Sequence, residues 1–308
     1  MSKSFSVTAR SQASQKVSWR RIASAAVLLF SVGYLGYRVY TNWDAFKAYD
    51  WQIRYEYLIP SFLLYLVQLV VIVWGWKSIM DSLTQVLPFG DHIKIYAYTN
   101  MLRRIPAGTV WMVAGRVYAY KGQSVPARAS ALGSFLEFMV VVLTGLPLAA
   151  LAAVGLALIP PAIGIVLAIV AAILALMALH PALLSRLFRL VRHEDLPVQL
   201  RYRNTLQWAA IYSLVWLISG MGLFLIVRLF GDISLEKLPV ITGVWVLSSL
   251  VAYFTMLSPS GLGVKELSLT LLLGLFLPEP LPLLVALAMR LVWTLYDIVL
   301  GMVAWVTS

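Results

Sequence analysis

Five ionisable residues lie in or beside apolar stretches of this chain: Glu137, Lys265, Glu266, Arg290 and Asp297. A charge at bilayer depth is expensive, so it faces a cavity or a partner. Such residues either line a path for a polar ligand or form structural ion pairs. Arg290 and Asp297 are seven positions apart and share one face of a straight helix. Two short segments also share a pattern. Met101-Leu102 precedes Pro106-Ala107-Gly108, and Met256-Leu257 precedes Pro259-Ser260-Gly261. A cation follows each, Arg116 in one case and Lys265 in the other. Each is then followed by a span carrying an acid, Glu137 or Asp297. Gly- and Pro-interrupted pieces in matching positions of two halves point to a transporter binding site. Broken helices expose backbone N–H groups whose dipoles favour anions, and added Arg or Lys grips phosphate. The alternative is that both pieces are kinks at helix ends. For Arg103 and Arg104 the alternative is an interfacial pair that sets topology.

These residues need a membrane around them. The chain has 308 residues, of which 61% are hydrophobic and 12% charged. Average soluble domains carry about 25% charged residues. Mean hydropathy is +0.86. Too little charge is present to cover a soluble fold of this size. The composition therefore excludes an ordinary cytosolic enzyme, a disordered chain and a nucleic-acid-binding domain. It predicts an all-α, polytopic helical membrane protein. The net charge of +11 reads as basic loops facing anionic lipid. No cysteine is present, and His92, His180 and His193 are too scattered for a ligand motif. No metal, cofactor or Walker-type nucleotide site is expected.

Residues 1–21 read as a basic cytoplasmic tail, and 22–306 as a single transmembrane domain. Apolar stretches that are candidates for spans lie near 22–40, 58–76, 131–155, 157–179, 207–229, 239–257 and 283–306. Residues 41–57, with Trp43, Tyr49 and Trp51, read as an external loop or surface helix. Residues 77–98 read as an amphipathic surface helix. Residues 99–120 hold Arg103, Arg104, Arg116, Pro106, Gly108 and Gly115, too polar for a lipid-facing span, and read as a re-entrant pair. The piece between Glu266 and Pro278 falls short of the ~20 residues a span needs. The expected total is about six full spans plus two re-entrant or broken elements, about eight helices in all, with an inverted repeat left open. Residues 180–206 carry Arg186, Arg189, Arg192, Arg201 and Arg203 without a lysine, marking a cytoplasmic loop with an interfacial helix.

The stretch Arg104-Ile-Pro-Ala-Gly108, continuing to Arg116, Gly122 and a span bearing Glu137, resembles the membrane region of lysylphosphatidylglycerol synthetases. So does Pro259-Ser-Gly-Leu-Gly-Val-Lys-Glu266, which is similar to that family's Pro-Gly-Gly-x-Gly-x-(basic)-Glu element and includes Gly261 and Gly263. Ser260 stands where glycine is common, and Ala107-Gly108-Thr109 replaces a richer glycine run. The resemblance covers about residues 20–305. It implies about eight helices with re-entrant elements, and movement of charged lipids or lipid-linked glycans between leaflets. With the chain ending at Ser308, it implies a stand-alone, flippase-like protein without the aminoacyl-transferase domain.

The leading expectation is lipid translocation. Arg104, Arg116, Lys265 and Arg290 would neutralise headgroup phosphate. Glu137, Glu266 and Asp297 would pair with those cations or a headgroup amine. Pro106, Gly108, Pro259, Gly261 and Gly263 would shape the broken backbone. No catalytic residue is assigned. The expected partners are membrane lipids, anionic or lipid-linked, and a separately encoded lipid-modifying enzyme, with no nucleic acid; homo-oligomerisation stays open. Two rivals remain: a non-catalytic partner or anchor of such an enzyme, docked through 180–206, and an intramembrane lipid transferase with Glu137 or Asp297 as base. The expected place is the cell membrane, with a cytoplasmic N-terminus.

Overall fold

The computed structural model describes residues 33–34, 36–49, 52–84, 86–102, 108–192, 200–255 and 263–306. Among them the chain is helical and has no strand. Most of the expected first span, and Arg104, Pro106, Pro259 and Gly261, lie outside the described residues.

The helices are α1 (Trp43–Ala48), α2 (Leu58–Asp81), α3 (Phe89–Met101), α4 (Gly108–Lys121), α5 (Ala127–Gly155) and α6 (Pro161–Ala178). They continue with α7 (Pro181–Arg192), α8 (Tyr202–Phe230), α9 (Leu238–Thr255), α10 (Val264–Leu273) and α11 (Leu281–Val306). Among the described residues, six helical stretches are long and apolar enough to cross a membrane: those built on α2, α5, α6, α8, α9 and α11. This is a polytopic helical membrane protein. The described residues already hold more helices than the eight expected, because short elements that hydropathy smooths over are separate helices. Starts follow local chemistry. Pro161 opens α6 at a position where its missing N–H costs nothing.

Two boundaries differ from expectation. Residues 77–81 complete α2 and are not part of a surface helix. The broken pair is α3 and α4, beginning at Phe89 rather than near 99. Nor does α3 lie on a surface: His92, Ile95, Tyr96, Ala97 and Thr99 are buried, and α3 packs against α2, α4 and α11. Its alternation of polar and apolar residues reflects packing against protein on several sides, which resembles amphipathicity in sequence. Within 180–206 the interfacial stretch is helical as α7, and α8 begins at Tyr202.

Helix contacts repeat in two halves. The pairs α2–α3, α3–α4, α4–α5 and α2–α5 recur as α8–α9, α9–α10, α10–α11 and α8–α11. The cross-contacts are reciprocal as well: α5 meets α9 as α11 meets α3, and α5 meets α8 as α11 meets α2. Helices α2 and α8 pack on each other at the centre. The Pro-x-Gly segments fall between α3 and α4 and between α9 and α10, in equivalent places. The duplicated pattern in the sequence therefore corresponds to a duplicated packing scheme.

Two cores fill the halves. One gathers Val73, Trp76, Met80, Tyr120, Leu136 and Trp208. The other gathers Trp216, Phe224, Trp245, Leu269, Val285 and Met289. Helix α8 contributes to both. Its apolar window is 61% buried, against 17% for α6, which faces lipid. A helix apolar all round belongs inside or in lipid; contacts decide which. Close approach is set by small residues, as in membrane helix packing generally. A Cβ on Gly133 would lie 2.8 Å from the Met80 sulfur and 3.3 Å from Trp76, so this glycine lets α5 seat against α2 beside the first charged centre.

Candidate functional site

The structure gathers the charged residues into two centres, one in each half. In the first, Arg116 on α4 forms an ion pair with Glu137 on α5. The other oxygen of Glu137 accepts a hydrogen bond from the Tyr212 hydroxyl on α8 at 3.0 Å. The guanidinium stacks over Trp76 of α2 at 3.9 Å and lies 5.0 Å from the ring of Tyr96 on α3. It also donates to the Ser134 hydroxyl at 3.5 Å. Arg116 is 1% exposed and Glu137 7%. Five helices thus close around one ion pair.

A neutral network adjoins it. Trp76 Nε1 donates to the Tyr120 hydroxyl at 2.6 Å, and that hydroxyl is also 2.6 Å from His92 Nδ1. An indole N–H only donates. Tyr120 therefore accepts from Trp76 and shares a hydrogen bond with Nδ1 of His92, whose other ring nitrogen is Nε2. That nitrogen is 3.9 Å from Asp81, whose other oxygen pairs with Lys77. Burial pulls His92 down to about 4, against the opposing attraction of Asp81.

The second centre lies on α10 and α11. Lys265 is held between two indoles, 3.5 Å from the Trp245 ring on α9 and 3.9 Å from the Trp293 ring on α11. Glu266 caps α10: its Oε2 accepts the Gly263 N–H at 2.8 Å. Gly263 has φ 80°, a left-handed conformation that favours glycine. The remaining oxygen, Oε1, is 3.5 Å from Arg290 on α11. Glu266 thus fixes the start of α10 and ties it to α11. Lys265 and Glu266 are buried, but the Arg290 side chain is 33% exposed. It is a cation reachable from outside the packed core, within a helix apolar enough to span.

Of the predicted site residues, Arg116 and Glu137 meet, as do Glu266 and Arg290. Asp297 is half-buried, not the buried acid expected as the counterpart of Glu137; the buried acid of the second half is Glu266 on α10. Asp297 lies about two helical turns beyond Arg290, and both side chains are only half-buried, unlike Glu137. Gly108 is buried at the start of α4. Sequence alone does not single out the rings of Trp76, Tyr212, Trp245 and Trp293. Trp293 lies three positions after Arg290, one helical turn away, and that spacing was the available signal. Among the described residues, no group of three His, Cys, Asp or Glu side chains could hold a metal ion.

The two halves thus present charged centres at equivalent positions of a duplicated helical membrane scaffold. The chain belongs to the lysylphosphatidylglycerol synthase TM region family, whose model matches residues 21–301. No individual curated protein matches it.

Proposed function

We propose that this chain translocates a charged phospholipid or lipid-linked glycan between leaflets, with Arg290 as the first contact for headgroup phosphate. The observation that carries this reading is the partial exposure of Arg290 beside Lys265 and Glu266, against full enclosure of the Arg116 pair. Guanidinium groups bind phosphate in bidentate fashion. A headgroup at Arg290 competes with Glu266 for the guanidinium, which loosens the tie between α10 and α11. That exchange supplies a coupling between ligand and helix position. Arg104 would add a further phosphate contact. The work is binding and movement without covalent chemistry, in the cell membrane, with the N-terminus cytoplasmic and a separately encoded enzyme supplying modified lipid.

The test is leaflet exchange in vesicles containing labelled phosphatidylglycerol. The intact chain is expected to accelerate exchange, and Arg290→Gln to slow it about tenfold, a factor worth ~1.4 kcal/mol. Equal rates with and without protein, across anionic, zwitterionic and glycosylated lipids, would overturn the reading. Co-purification of an enzyme that is lost on neutralising Arg186, Arg189 and Arg192 would then favour the anchoring role.

A further inference from the structure

A polar cavity of about 260 Å³ opens where the C-terminal end of α2 meets the N-terminal end of α8. It is remote in sequence from α10 and α11, and none of the residues of the second charged centre lines it. Trp74, Lys77, Ser78 and Asp81 of α2, Ser82 just beyond it, and Asn204 and Gln207 of α8 line it. Asn204 donates to Ser82 at 3.2 Å and so braces the two helices at this end. The two spans run antiparallel here. Ser82 meets Asn204, Gly75 approaches Ile211 and Tyr212, and Gly222 approaches Tyr65.

The cavity does not end in polar surface. On α2, Trp74, Val70 and Val67 follow Lys77 toward the middle of the span at helical spacing, and each is about half exposed (48%, 50% and 49%). On α8, Ala210 and Leu214 follow Gln207 in the same way and are also exposed. A headgroup-sized polar recess therefore continues into an apolar lane on the same two helices. Only an amphiphile matches both parts. The charges restrict it further. Lys77 and Asp81 form an ion pair, so the recess offers one cation and one anion together with hydroxyl and amide groups. Asp81 is not neutralised from behind, because its neighbour His92 is buried and uncharged near pH 7. A ligand with both phosphate and ammonium can exchange partners with this pair without leaving a charge over. A purely anionic headgroup would satisfy Lys77 and strand Asp81.

We propose that this cavity is a second lipid site, which holds a zwitterionic phospholipid with its phosphate at Lys77, Asn204 and Gln207 and its ammonium at Asp81 and the face of Trp74. The acyl chains lie along the exposed stripes of α2 and α8. Trp74 suits the ammonium because an indole face attracts cations. Arg201 and Arg203 are exposed at the start of α8 but do not line the recess.

The intact chain would be reconstituted in vesicles of equal phosphatidylglycerol and phosphatidylethanolamine, extracted in mild detergent, and its retained lipid quantified by mass spectrometry. Phosphatidylethanolamine is expected to be enriched over phosphatidylglycerol. Ser78→Leu and Gln207→Leu fill the recess with apolar atoms at lipid-accessible positions. They are expected to retain about tenfold less phosphatidylethanolamine, the scale of losing hydrogen bonds to a charged group, with unchanged gel-filtration behaviour. Asp81→Asn leaves Lys77 as the dominant charge and is expected to turn the preference toward phosphatidylglycerol. Arg290→Gln is expected to leave phosphatidylethanolamine retention unchanged, which separates this site from the translocation reading. Retained lipid that mirrors the vesicle composition, a preference for phosphatidylglycerol on the unaltered chain, or equal retention by well-folded leucine variants would overturn the assignment.

Discussion

Arg116 and Lys265 occupy equivalent helices, α4 and α10, yet they meet different surroundings. Both cations lie against indole rings, at 3.9 Å for Arg116 and 3.5 and 3.9 Å for Lys265. Arg116 also has a buried carboxylate, itself held by Tyr212. In the second half the buried carboxylate, Glu266, spends one oxygen on capping α10 and the other on the half-open Arg290. The first centre is closed and joins five helices, with only Arg116 Nε left without a hydrogen-bond partner. The second is distributed between a helix start and an accessible cation. A duplicated plan has thus diverged into a fastener and a contact point. Buried ion pairs persist where breaking them is costly, while accessible ones can exchange partners.

The largest expected effect comes from breaking the closed centre by halves. Glu137→Ala leaves Arg116 buried and uncompensated, and should cost about 3–5 kcal/mol, the range for one-sided removal of a buried pair. The check is the thermal unfolding midpoint in detergent; a midpoint near that of the unaltered chain would show that Arg116 finds other compensation. Replacing both partners, Arg116→Met with Glu137→Leu, should recover most of that loss, since apolar substitutes of similar volume are often neutral. If the double variant also exchanges lipid at the normal rate, the first centre is structural; failure of exchange in a stable double variant would make the two centres functionally alike.

The second centre should lose less stability, and Arg290 should affect exchange more than folding. Lys265→Met removes a desolvated cation from two indoles and is expected to cost about 2 kcal/mol. Arg290→Gln breaks a partly exposed pair and should change stability by less than about 1 kcal/mol, while slowing exchange as described above. A large loss of stability without loss of exchange would reverse the comparison between the centres.

The smallest effect concerns pH. Because burial lowers folded His92 to about 4, against an ordinary value near 6.5, the unfolded chain binds the proton more readily between those values. The stability contribution is therefore complete above about pH 6.5, declines as pH falls, and levels off below about 4. Asp81, Lys77, Asp91 and Tyr120 are the titratable groups around the ring that set this behaviour. His92→Gln should flatten the midpoint against pH over that window; an unchanged slope would assign it to other groups.

The spans were legible because each is a long apolar run whose residues cannot be placed in water, and hydropathy reads that directly. The boundaries of α3 were not legible in the same way. His92 and Thr99 look like surface residues until Tyr120 and the turns of α3 itself supply their hydrogen bonds. Arg116 and Glu137 were legible as expensive charges, but their mutual pairing was not, since nothing in a spacing of twenty-one residues across a turn fixes a contact. The role of Glu266 as a cap was partly legible, from its place three residues after Gly263 in a segment that must start a helix.

By itself the sequence determined the class of protein, the two Pro-x-Gly segments and the identity of the charges that cannot remain alone in lipid. Those follow from transfer energies and backbone chemistry, which are local. Only the tertiary structure decided which charge is sealed and which can be reached. Burial of Arg116 depends on α2, α3, α5 and α8 converging around α4, and exposure of Arg290 depends on which part of α11 turns away from α9 and α10. Such contacts join residues far apart in the chain, so their energies depend on the packed arrangement of helices and no local pattern contains them.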